Sequence, residues 1–66
     1  MSVGMKLKLA RIKAGLRQLR VARESGVRNV RLSQIENDWI EPTDDEVKRI
    51  REAIARASES HDGRAA

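Results

Sequence analysis

Apolar positions along this chain recur every three or four residues, and no stretch alternates as a half-buried strand would. The spacing predicts four helices and an all-α fold. A first helix is expected over about Met5 to Ala14, with Leu9, Ile12, Met5 and Leu16 as its apolar stripe and Gly15 as the residue that ends it. A second is expected over Gln18 to Glu24, with Leu19, Val21 and Ala22 as apolar positions and Gly26 as its stop. The turn Ser25-Gly26-Val27 is short, so a third helix, over Asn29 to Asn37, must leave it steeply. The loop Asp38 to Pro42 follows. The fourth helix has the clearest start: Thr43-Asp44-Asp45-Glu46 fits a capping box, with carboxylates that complement the helix dipole. Val47, Ile50, Ile54 and Ala57 then share one face. From Ser58 to Ala66 the periodicity is gone, which predicts a domain over residues 1–57 and a disordered, flexible tail over 58–66.

The third helix is the informative one. At 100° per residue Leu32 and Ile35 fall together and must face the core, with Glu36 beside them. The opposite face then carries Val30, Gln34 and Asn37, flanked by Ser33 and Arg31, with Asn29 projecting from the N-terminal end. An ordinary solvated face carries Lys and Glu. This one holds amides that can pair with adenine edges, an arginine suited to guanine and a valine methyl suited to thymine. Core packing is the competing reading of Val30, and its helical phase, opposite Leu32, speaks against it.

Charge sharpens this picture. Residues 1–34 hold nine basic side chains (Lys6, Lys8, Arg11, Lys13, Arg17, Arg20, Arg23, Arg28, Arg31) against Glu24 alone, a net +8. Residues 35–66 hold five basic and nine acidic side chains, a net −4, and the halves make the +4 of the whole chain. Segregation of this kind suits a polyanionic partner met by one half of the molecule. The single aromatic residue, Trp39, is too little for the stacking platforms of single-stranded nucleic-acid binding, so double-stranded DNA is the better fit.

Composition excludes more than it supplies. At 66 residues the chain is one domain, burying only about 60% of its unfolded surface. It has no cysteine and one histidine, His61, so neither a disulfide nor a Cys/His zinc site is available, and no metal or other cofactor is expected. No enzyme is expected either: Asp44, Asp45 and Glu46 are explained by a helix start, and no nucleophile has a base beside it. No signal peptide or apolar span is evident, which points to a cytoplasmic protein with no membrane partner.

Gly15-Leu16-Arg17-Gln18, Val21-Ala22, Gly26-Val27, Leu32-Ser33, Ile35-Glu36-Asn37 and Pro42 together resemble the Cro/repressor-type (XRE-like) helix-turn-helix family, over roughly Lys6 to Ile54. The resemblance implies a compact lambda-repressor-like bundle of four or five helices whose third helix enters the major groove. It implies base reading by Asn29, Val30 and Gln34, with Ser33 and Arg31 beside them. It implies phosphate contacts from Gln18 and Asn37, and the basic side chains Lys6, Lys8, Arg17 and Arg28 are expected to add their own. It also implies an ion pair of Arg11 with Glu36 that ties the first helix to the third. The functional expectation is a transcriptional regulator of phage or mobile-element repressor type, in a bacterial or phage-infected cell, binding as a homodimer. The alternative is an antitoxin-like or adaptor module that uses the same fold to hold a protein partner.

Three departures from the family pattern matter. The family places small polar caps where Arg17 and Arg28 stand, and arginine both caps poorly and opposes the dipole. It favours glycine where Asp38 stands. Trp39 and Ile40 follow where basic residues are common. Either Trp39 folds over the small core or Trp39 and Ile40 contact a dimer mate or partner. A fifth helix aids dimerisation in many members, and only the polar tail occupies that place here.

Overall fold

The computed structural model describes the backbone of residues 1–65 and the side chains of residues 1–59. It contains four helices: α1 (Val3–Lys13), α2 (Gln18–Ser25), α3 (Asn29–Glu36) and α4 (Asp44–Ala65). No strand occurs among the described residues.

Local chemistry accounts for most of the boundaries. Ser2 caps α1, its Oγ accepting from the Met5 amide at 3.1 Å, so the helix begins two residues before the apolar repeat suggests. Gly15, at φ +73°, closes α1 with a Schellman pair of bonds, Leu16 N–H to Arg11 O at 3.1 Å and Gly15 N–H to Ile12 O at 2.9 Å. Gly26, at φ +77°, ends α2. The end of α3 uses the same geometry with a less suitable residue. Asp38 sits at φ +61°, while the amides of Trp39 and Asp38 bond Gln34 O at 2.9 Å and Ile35 O at 3.1 Å. Asp38 is fixed there by Ser2, whose hydroxyl donates to its carboxylate at 2.6 Å. One serine thus caps α1 and holds the loop that follows α3. At the head of α4 the capping box forms in full: the Glu46 amide donates to Thr43 Oγ1 at 3.0 Å, and the Thr43 amide to Glu46 Oε1 at 2.9 Å.

The core is aliphatic. Leu7, Val21, Leu32, Ile35 and Ile50 are its largest fully buried side chains, and Ala53, Ile54 and Ala57 extend it along α4. α4 packs most extensively on α2, and α1 rests on both α3 and α4. Every buried side-chain polar atom among the described residues has a hydrogen-bond partner.

Of the apolar stripe expected for α1, only Leu16 is buried. Met5, Leu9 and Ile12 are exposed, whereas Gly4 and Leu7 are buried and Arg11 and Ala14 half-buried behind them. Both sets have helical spacing, so periodicity alone does not choose between them. Tertiary contact does. A Cβ on Gly4 would lie 2.0 Å from the carbonyl oxygen of Ile35, so only glycine lets α1 approach α3 this closely. Leu19, expected at an apolar position of α2, is also half in solvent at 49%.

One further expectation is corrected. Trp39 is 74% exposed and does not fold over the core; its neighbour Ile40 is the one that packs there. The backbone of residues 58–65 continues α4. Ala57 is the last buried residue of its apolar face among the described side chains. Ala66 and the His61 side chain lie outside the described residues.

Candidate nucleic-acid interface

The steep turn between α2 and α3 is built by Gly26 and by Ser25. The Ser25 Oγ donates to Ala22 O at 3.2 Å and accepts from the Val27 amide at 3.1 Å. Leu32 and Ile35, both fully buried, then clamp one side of α3 to the core. The other side faces outward. Val30 is 70% exposed, which decides against core packing, and Asn29 is exposed beside it. Gln34 and Ser33 are half-buried along the same face. Neither the Asn29 nor the Gln34 amide has a side-chain hydrogen bond among the described residues. Asn37 is engaged, its Nδ2 donating to Ser33 O at 2.8 Å.

Arg17 and Arg28 occupy the N-caps of α2 and α3, and neither forms a side-chain cap bond. The first amides of both helices therefore keep unused donors. Both arginines are exposed and neither is in an ion pair among the described residues. Two helix N-termini and two guanidinium groups thus flank the outward face of α3, a combination that favours phosphate. Lys6 and Lys8 do not join as a pair. Two residues apart on α1, they point about 200° from one another around its axis.

Behind this face lies a buried polar network. Arg11 donates from Nε to Glu36 Oε2 at 2.8 Å and from Nη2 to Oε1 at 3.0 Å. Its Nη1 donates to Leu16 O at 2.8 Å. Gln18 Nε2 donates to Glu36 Oε1 at 3.2 Å. Glu36 is 2% exposed, so the network joins α1, the start of α2 and the end of α3 around a buried carboxylate. It fixes where α3 sits, and it uses one of the two N–H donors of the Gln18 amide.

Arg31 is also engaged. On the shoulder of α3 nearest α4 its Nε and Nη2 donate to the two carboxylate oxygens of Glu46, the second at 3.0 Å. Nothing at a separation of 15 residues signals this pair, since Glu46 is already explained by the capping box. The Arg31 guanidinium, foremost, holds the Glu46 carboxyl down at about 2, against the desolvating effect of its partial burial and with help from Thr43. Glu46 in turn raises the Arg31 pKa through the same hydrogen bond.

The helix-turn-helix family model matches residues 7–57, from the first buried side chain of α1 to the last of α4 among the described residues. The chain belongs to the Cro/repressor-type (XRE-like) helix-turn-helix family. No curated protein and no solved structure matches it. As a helix-turn-helix protein of this family it is a DNA-binding regulator, of a kind typically without enzymatic activity. No helix among the described residues is long and apolar enough to cross a membrane.

Proposed function

We propose that this helix-turn-helix protein is a sequence-specific repressor of phage or mobile-element type that lays α3 in the major groove of double-stranded DNA. The observation that carries this reading is the outward face of α3. Val30, Asn29 and Gln34 are available there, between two N-termini whose caps have been replaced by Arg17 and Arg28. Asn29 and Gln34 have the donor and acceptor pattern that pairs with adenine, and Val30 offers a methyl to thymine. Arg17, Arg28 and the unused amides behind them set register on phosphate. Gln18 uses one N–H on Glu36, and its other N–H and its carbonyl oxygen are left to grip a phosphate and steady Asn29. Lys6 and Lys8 contribute from different sides of α1, and Asn37 orders the end of α3 through Ser33.

On this reading the protein works in the cytoplasm of a bacterial or phage-infected cell and binds a palindromic operator as a homodimer, its half-sites about one helical turn apart. Trp39 and Ile40 supply the mate's contact. A second reading has one observation in its favour. Trp39 lines a groove of about 610 Å³ together with the apolar Val3, Ile40 and Val47 and the acidic Glu41 and Asp44, a surface an antitoxin-like or adaptor module would offer to a protein. Selection of bound sequences from a random duplex pool tests both. Enrichment of a palindrome supports the repressor. Binding without enrichment removes base reading by Asn29, Val30 and Gln34, and absence of binding at low salt leaves the protein-partner reading.

A further inference from the structure

We infer that Glu46 acts on DNA recognition through Arg31, withholding that guanidinium from phosphate so that the protein meets DNA of the wrong sequence with one cation fewer. The inference rests on the reading that α3 docks in the major groove.

Three observations carry it. First, Arg31 lies on α3 next to Val30 and one turn from Gln34, so its side chain is within reach of whatever that face touches. Second, both oxygens of Glu46 are committed to it, in the two-pronged geometry that carboxylate and guanidinium adopt best. Third, Glu46 is not a free surface carboxylate. Its side chain is 16% exposed and its Oε1 also accepts the Thr43 amide, so it is held in place before Arg31 arrives. Moving Arg31 to a phosphate would leave a partly buried carboxylate without its cation, close to a polyanion. A phosphate alone gives little return for that loss, because water and counterions already serve it. A guanine edge that accepts two hydrogen bonds from Arg31 gives more. Glu46 is therefore a positioning residue, and its effect falls on non-specific binding. The other exposed arginines near α3, Arg17 and Arg28, have no such restraint among the described residues.

The test is the salt dependence of binding to a random-sequence duplex, for the wild type, Glu46→Gln, Arg31→Ala and the double variant. Glutamine also serves at this capping-box position, so Glu46→Gln keeps the start of α4 while removing the charge. Glu46→Gln is expected to bind the random duplex more tightly, with the slope of log K against log salt steeper by about 0.9, the value of one added phosphate contact. The double variant is expected to return to the wild-type slope. Arg31→Ala alone is expected to leave that slope unchanged. An unchanged slope in Glu46→Gln overturns the inference. So does a steeper slope that persists in the double variant, which would be a field effect of the lost charge. Should Glu46→Gln fail to fold, Arg31→Ala decides: a slope shallower by about 0.9 means that Arg31 was on phosphate all along. If the wild type binds no duplex at low salt, the DNA-docking reading itself fails, a result distinct from any of these.

Discussion

Replacing Arg11 by alanine tests whether the buried network governs the fold as its geometry implies. Arg11 and Glu36 have side chains 13% and 3% exposed and share two hydrogen bonds, at 2.8 and 3.0 Å. Without Arg11, Glu36 keeps one neutral partner, Gln18 at 3.2 Å, and Leu16 O loses its donor. Removing one partner of a buried pair costs about 3–5 kcal/mol, because the remaining charge is uncompensated. A core in a chain this small supplies only about 3–5 kcal/mol in total. At about 4–8 °C per kcal/mol for a domain of this size, the melting temperature should fall by roughly 12–40 °C. The companion variant Arg11→Met with Glu36→Leu removes both charges and fills the space with apolar side chains. Replacements of that kind are neutral or stabilising by about 1–4 kcal/mol, so it should melt close to the wild type. Thermal melts followed by circular dichroism read both. A loss in the double variant as large as in Arg11→Ala would refute the account, because the cost would then not come from a stranded charge. A shift of only a few degrees in Arg11→Ala would mean that water reaches Glu36.

Further outcomes follow from other sites. Gly4→Ala improves helix propensity by about 1 kcal/mol, yet it should lower the melting temperature, because its Cβ meets the Ile35 carbonyl backbone and overpacking of that kind costs about 1–3 kcal/mol; an unchanged or higher melting point would show that α1 can slide off α3. Arg17→Thr with Arg28→Ser restores two caps at roughly 0.5–2 kcal/mol each. The melting temperature should rise, and the salt slope of DNA binding should become shallower by about 0.9 per arginine lost; equal affinity and slope would remove both arginines from the interface. Glu46 has a depressed folded-state pKa, so its stabilisation is fully present above its ordinary value of 4.5 and is lost as pH falls through about 2. An acid titration of stability should therefore be flatter between those limits in Glu46→Gln than in the wild type, and identical curves would count against the Arg31 pair.

Much of this molecule follows from short stretches of chain. Glycine after a helix, serine or threonine before one, and a carboxylate three residues beyond a threonine act through bonds spanning three to five residues, so Gly15, Gly26 and the Thr43–Glu46 box place the helix ends locally. The 3.6-residue period orients α3 because Leu32 and Ile35 are its only strongly apolar pair on one side, and Val30 then has to face outward. The family pattern needs no more than this ordered set of residues and spacings.

Contacts between helices settled the rest. On α1 two stripes of equal periodicity compete, and the one carrying Gly4, Leu7 and Arg11 is chosen because α3 presents a backbone carbonyl to Gly4 and a carboxylate to Arg11. Trp39 is exposed on a loop whose first residue, Asp38, is held by Ser2, 36 positions away. Arg31 has the right helical phase for an outward residue, and its commitment to Glu46 depends on where α4 begins in space. Periodicity reports which side chains share a face of one helix. Which face is covered, and which charged group is already engaged, depends on groups distant in sequence that meet only when the helices pack.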